Sequence, residues 1–202
     1  KQQGSRPGDR TAAPREAPAS RRWPRGAAGM AAALALGDAL PVSCSKLGVA
    51  ISWDRGGGAT VDLDLQAVAF DTAGKLLDAV YYNNLKALGR ALTHSSDEVT
   101  GDKAGLDEII WTDFKRLPES VALIVYVVAA HSGGHLRDAV NGQFHILEDT
   151  AANNVGQFRL EESEEEVDLV GALVRGADSN EGAGGWSFRV VHEPSEDGQH
   201  FI

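Results

Sequence analysis

The sequence predicts an all-β fold, an antiparallel β-sandwich, and three observations carry that reading. From Val42 onward, short runs of β-branched and other apolar residues alternate with Gly, Asn and Asp. Turn-forming residues separate many of these runs, at 54–58, 71–74, 132–134 and 182–185. Helical periodicity is confined to one Ala-rich stretch, 27–36. Nine short strands spaced by turns point to two facing sheets.

In chain order the strands are expected at 46–53, 61–70, 76–82, 108–114, 121–129, 143–147, 156–160, 167–174 and 186–192. The first ends at Trp53, before the glycine run Gly56-Gly57-Gly58. The second alternates cleanly: Val61, Leu63, Leu65, Ala67 and Ala69 point one way, Asp62, Asp64, Gln66 and Val68 the other. The turn at 71–74 leads into the third. The unbroken apolar run at 123–128 reads as a central strand buried on both faces. The segment 117–120 is a short turn feeding it, with φ pre-set by Pro118. Glycines at 132–134 and 182–185 delimit later strands, and Trp186 opens the last.

The chain has 202 residues, ample for a core without disulfide staples, and a single cysteine, which excludes a disulfide framework and a Cys-based zinc knuckle. No stretch offers the ~20 consecutive apolar residues of a spanning helix. The formal net charge of −10 is unevenly spread. Residues 1–40 hold seven of the 19 basic and three of the 29 acidic groups, a net of +4, which leaves 12 basic and 26 acidic groups, a net of −14, in 41–202. Two segments are therefore expected: a basic Arg/Pro/Ala-rich arm, 1–40, and a sandwich domain, 41–202. An acidic domain is a poor partner for phosphate backbones, so nucleic acid is not expected.

The arm cannot bury enough apolar surface to offset its ordering entropy. It reads as a tail that docks on an acidic protein partner in a larger assembly, or lies on its own acidic domain. Its Arg-rich, acid-poor makeup, with Ser20-Arg21-Arg22 before an Ala/Leu run, also has the features of an organellar, plastid-like targeting segment and is compatible with contact at a membrane surface. An organelle is accordingly favoured over the free cytoplasm. Trp23 has no core to join and is the arm's natural intermolecular anchor.

Carboxylates cluster where a sandwich does not require them. Asp62 and Asp64 share one strand face. Asp97-Glu98, Asp102 and Asp107-Glu108 follow on a segment punctuated by Gly101 and Gly105. Hard oxygen donors at irregular spacing on a Gly-containing loop suit Ca²⁺, which takes six to eight oxygens in flexible geometry. A solvated acidic loop is the plain alternative.

Several stretches together carry a resemblance: Ser52-Trp53-Asp54, Val61-Asp62-Leu63-Asp64, Tyr82-Asn83-Asn84-Leu85-Lys86, Thr93-His94-Ser95-Ser96-Asp97-Glu98-Val99-Thr100-Gly101, Asp107-Glu108-Ile109, Leu117-Pro118-Glu119 and Gly185-Trp186-Ser187-Phe188-Arg189. Over about residues 45–202 the chain resembles the tellurium-resistance TerD family. The resemblance implies a β-sandwich that binds Ca²⁺ through acidic loops, without catalytic activity. It implies the ligand set Asp62, Asp64, Asn83, Asn84, Asp97, Asp102, Asp107 and Glu108. Asp102 stands where the family commonly has Glu, Glu98 replaces Asn, Lys103 a Gly, Ala104 an Asp, and Leu106 the first Asp of Asp-Asp-Glu. Two lost carboxylates and an added Lys are expected to weaken cation binding and to remove one of two sites.

The functional expectation is a non-enzymatic Ca²⁺-binding interaction module, an accessory or scaffolding subunit. The alternative is a soluble tellurite or oxidative stress-response protein. A hydrolase built on the carboxylates lacks a His-based nucleophile among the motifs. The pair His131 and His135 has no third ligand and reads as a metal-free loop. Cys44 lacks an activating His, and 161–166 reads as a solvated acidic turn. Trp53, Trp111 and Trp186 are expected in the core or on a sheet face.

Overall fold

The computed structural model describes residues 31–54, 61–95, 105–131, 134–160, 166–176 and 185–194. Among them are thirteen strands and no α-helix: β1 (Ala32–Ala33), β2 (Ala39–Pro41), β3 (Lys46–Asp54), β4 (Leu63–Phe70), β5 (Leu76–Val80), β6 (Lys86–Ala87), β7 (Leu92–His94), β8 (Glu108–Asp113), β9 (Leu123–Ala130), β10 (Val140–Glu148), β11 (Asn154–Arg159), β12 (Val167–Arg175) and β13 (Trp186–Pro194). They form two sheets, a sandwich. Sheet I runs β1-β11-β10-β3-β8-β7-β6 and sheet II runs β2-β13-β12-β9-β4-β5. Every ladder is antiparallel except the short edge pair β1 with β11.

Alternation decides what each strand buries. Leu63, Leu65, Ala67 and Ala69 of β4 meet Val49 and Ile51 of β3 and Ile110 of β8 in one core. Phe144 of sheet I stacks on Phe188 of sheet II with ring centroids 6.0 Å apart. Buried polar contacts also tie the layers, among them the Tyr126 hydroxyl and Thr112 Oγ1, 2.7 Å apart. Gly171 belongs to this packing, because a Cβ there would stand only 2.3 Å from Cζ of Phe188. The central strand β9 is flanked by β12 and β4, and its second face buries Val127 and Ala129 with Val167. The continuous apolar run of the sequence has that cause.

The start of the sandwich differs from expectation. Residues 32–36, read as part of a helical stretch, hold strand β1, so edge strands of the sandwich precede residue 41. Ala32–Ala33 add to the edge of sheet I and Ala39–Pro41 to the edge of sheet II, with Ala32 and Leu40 buried. Gly37 turns between them at φ 82°. Pairing and burial override the helix propensity of the alanines here. Residues 1–30, the rest of the arm with Trp23, lie outside the described residues. The short strands β6 and β7 are the other additions. Residues 88–90 connect them in three successive left-handed conformations, with φ of 49°, 62° and 70°.

Candidate functional site

One end of the sandwich gathers the beginnings of β4 and β8 and the ends of β3, β7 and β9. β5 pairs with β4 only between Ala67 and Phe70. Leu65 therefore projects its N–H and C=O past the end of its neighbour, and both need partners. Glu108 Oε2 accepts the Leu65 N–H at 2.7 Å, and His94 Nε2 donates to the Leu65 carbonyl at 3.0 Å. The same His94 nitrogen lies 3.4 Å from Glu108 Oε2, and neither side chain reaches solvent. Together the two side chains stand in for the missing length of strand β5. Glu108 was expected as a cation ligand; its Oε2 is taken up in closing the fold.

Asp107 has a comparable task. Its Oδ2 accepts the Trp53 N–H at 2.9 Å, while its own N–H donates to the Ile51 carbonyl at 3.0 Å. The end of β3 is thereby fastened to the start of β8. Charge-assisted bonds of this kind from backbone to carboxylate are about twice as strong as neutral ones.

Asp62 and Asp64 lie on the face opposite the core residues, as the alternation predicts. Asp64 is buried, with its Oδ2 3.0 Å from Nδ1 of the half-exposed His131, and the His131 N–H donates to the Asp62 carbonyl at 2.8 Å. The His131 ring packs on Tyr82 with centroids 5.1 Å apart. That contact brings the Tyr81-Tyr82-Asn83-Asn84 turn to the acidic end. Asn84 closes this turn: it exchanges backbone bonds with Tyr81, and its Nδ2 donates to the Ala79 carbonyl at 2.6 Å. Asn83 is exposed at the tip. Asp97 and Asp102, with Glu98, Lys103 and Ala104, lie outside the described residues.

Of the eight expected ligands, the structure places Asp62, Asp64, Asp107 and Glu108 at the same end of the sandwich without clustering their side chains, and the Asn83–Asn84 turn adjoins this end through Tyr82 and His131. Among the described residues, no three His, Cys, Asp or Glu side chains are grouped so as to hold a metal ion. Two carboxylates on one strand cannot supply the six to eight oxygens of Ca²⁺. A complete shell would require further oxygen donors. The His135 ring faces Asp138, with Nδ1 3.4 Å from Oδ2, whereas the His131 ring faces Asp64.

A second polar row runs across the outer face of sheet I. Ser52 Oγ lies 2.8 Å from His145 Nε2, and His145 Nδ1 lies 3.0 Å from Asn154 Nδ2. The composition is that of an acyl-transfer triad, but the wiring is reversed. Asn154 Oδ1 accepts the Gly156 N–H at 3.2 Å, which turns the amide nitrogen toward His145. Nδ1 must then accept, and Nε2 carries the proton and donates it to Ser52. Burial pushes the His145 pKa down to about 4. A neutral imidazole in this tautomer cannot take a proton from the serine. Cys44 is no nucleophile either: burial, then Glu148 and Asp149, push its thiol up to about 12.

Comparison with known proteins decides the family. The TerD domain model matches residues 30–200. The chain belongs to the TerD domain family. The match begins 15 residues earlier than the motif resemblance, in accord with the edge strands at 32–41. The tellurium resistance protein TerD of Alcaligenes sp is 33% identical over 154 residues, 71% of this chain and 77% of that protein. Stress response protein SCP2 of Bacillus subtilis is 33% identical over 100 residues, 42% of this chain and 50% of that protein. A solved homologue of the telluride resistance protein TerD, from Streptomyces coelicolor A3(2), superposes with a TM-score of 0.64 at 21% identity, over 77% of this chain and 92% of that one. That likeness establishes the TerD-like sandwich.

Within this TerD domain, sequence reasoning missed the contacts of His94 with Leu65 and Glu108, of His131 with Asp64, and the Ser52–His145–Asn154 row. His94 is legible in hindsight through its parity with Leu92 on β7, which places both inward. The others depend on pairings between distant strands, which spacing in one sequence does not encode.

Proposed function

We propose that the chain is a non-enzymatic stress-response protein of the tellurium-resistance type, acting as a Ca²⁺-binding interaction module. Family membership supports the stress-response class. The observation that supports the cation reading is the pair Asp62 and Asp64 on one strand face, at the end of the sandwich that adjoins the turn carrying Asn83 and Asn84. Asp62 and Asp64 would ligate the ion with Asp97 and Asp102. Glu108 and Asn84, both engaged by backbone groups, would shape the site rather than fill it. The reversed Ser52–His145–Asn154 wiring and the high Cys44 pKa favour a binding role over hydrolysis.

Calorimetric titration with Ca²⁺ tests the proposal. The parent chain should release or absorb heat saturably and gain melting temperature, and Asp62→Ala with Asp64→Asn should lose both. An unchanged titration in that double variant would refute the ligand assignment. The accessory role assigns the basic residues 1–30 to an acidic protein partner, in an organelle rather than the free cytoplasm. Truncation after residue 30 spares β1, so lost co-purification with a partner and retained folding is the expected result. Undiminished association would count against it.

A further inference from the structure

We infer that the outer face of sheet I carries a second binding site, a pocket for a compact, doubly charged oxyanion of the phosphate type. It lies at the far end of β8 from Glu108, about 17 Å along the strand, and is independent of the cation reading. Lys46, Arg90, Thr93, Trp111, Asp113 and Arg116 line an open pocket of about 230 Å³ there. Ladder register explains the assembly. Thr93 pairs with Trp111 and Lys46 with Asp113, so four of the six sit on adjacent strands. The Asp113 N–H donates to the Ala91 carbonyl at 2.8 Å, which brings the 88–90 turn against the end of β8.

Charge identifies the ligand. Three cations and one carboxylate give the lining a net +2, within a segment, 41–202, of net −14. A local reversal of sign of this kind focuses anions. Asp113 does not saturate its cations: Lys46 Nζ is 3.9 Å and Arg116 Nε 3.6 Å from its Oδ2. Charge-assisted bonds of full strength are ~2.7–2.9 Å long. Both cationic side chains are more than half exposed, 52% and 60%. Arg90 is also exposed. Guanidinium groups match planar and tetrahedral oxyanions in two-pronged fashion, and the Thr93 hydroxyl adds a neutral donor. Volume sets the size: about 230 Å³ exceeds several waters at ~30 Å³ each but falls below the ~300 Å³ of drug-sized pockets.

The backbone supplies an independent observation. Arg90 sits at φ 70° after Leu88 at 49°, a conformation that L residues avoid and that persists chiefly where function holds it. A glycine at position 90 would suit the turn better, yet the sequence places the longest cationic side chain there. Trp111, the apolar wall, is seated through Gly48, where a Cβ would stand 2.9 Å from its Cζ3.

The test is titration of the full chain at low ionic strength, followed by heat and by Trp fluorescence, with inorganic phosphate and separately with tellurite. Saturable one-to-one binding that weakens with added salt is expected for both. Arg90→Gly should weaken it about tenfold, the factor of one charge-assisted hydrogen bond, while raising the melting temperature because glycine relaxes the turn. Arg116→Gln should weaken binding with no such rise. Binding of neither anion at millimolar concentration overturns the inference. So does equal binding by the parent and by the variant carrying both changes, which would mark adventitious surface attraction only. Because Asp62 and Asp64 are untouched, Ca²⁺ titration of the same variants separates this result from the fate of the cation site.

Discussion

Replacing Glu108 by Ala should destabilise the protein by about 3 kcal/mol, because one carboxylate oxygen serves two buried groups. Its removal strands the Leu65 N–H, now bonded at 2.7 Å, in a fully buried setting. An unsatisfied buried donor costs ~1–3 kcal/mol. His94 simultaneously loses its neighbour at 3.4 Å, and the emptied space adds about 1 kcal/mol of lost contacts. For a chain of this length, 1 kcal/mol moves the melting temperature by ~2–4 °C, so a fall of about 6–12 °C is expected. Glu108→Gln retains an acceptor oxygen of the same reach and loses only the charge, about 1 kcal/mol. Guanidinium unfolding followed by Trp fluorescence and circular dichroism measures both, with equal slopes confirming that only stability has changed. If Glu108→Ala lies within ~0.5 kcal/mol of the parent, the range of ordinary surface changes, the substitute-strand role of Glu108 is wrong.

Gly171→Ala should be the most damaging single methyl in the sandwich, since its Cβ meets the fully buried Phe188 ring; a loss of ~3 kcal/mol or more, or no soluble protein, is expected, and a normal melting curve would contradict the packing. His145 makes stability pH-dependent. Its unfolded pKa is near the ordinary 6.5 and its folded value about 4, so between these the unfolded chain binds more protons, and stability present above pH 6.5 drains away as pH falls toward 4, by ~3 kcal/mol at the full shift. His145→Gln should flatten the stability profile in that window; an unchanged slope would reject the assignment. Cys44, buried with a thiol pushed up to about 12, should resist thiol reagents at neutral pH and react fully only in denaturant.

The nine strands with strong apolar periodicity were legible because their signal is local. Alternation along 61–70 named the inward and outward residues of β4, and the unbroken run at 123–128 named the central strand. What was not legible depends on partners far along the chain. Ala32–Ala33 and Ala39–Pro41 are strands only because β11 and β13 offer edges to them. Alanine carries no β preference of its own. The two-residue strand β6 is too short to show a period at all. At the acidic end, Asp62 and Asp64 were placed on the correct face by the same alternation. The task of Glu108 was hidden, because it follows from β5 ending short of Leu65, a fact about register and not about composition.

The motif around residues 93–109 mixes two kinds of carboxylate, and the structure separates them by what their oxygens hold. Asp107 and Glu108 accept backbone N–H groups of β3 and β4, so removing either opens a buried hydrogen bond. The departures that the motif resemblance implies in the same stretch, at Lys103, Ala104 and Leu106, fall outside that pair. A residue that binds only a cation can be lost with the fold intact, whereas one that closes a strand end cannot. The sandwich itself therefore calls for Asp107 and Glu108, whether or not an ion is bound. It follows that Asp107 and Glu108 are poor reporters of Ca²⁺ binding: their variants change stability first and ion affinity as a consequence. Asp62, half-buried on the outer face of β4, is the position at which affinity and folding best separate, whereas Asp64 is buried against His131, so the cation question should be put first to Asp62.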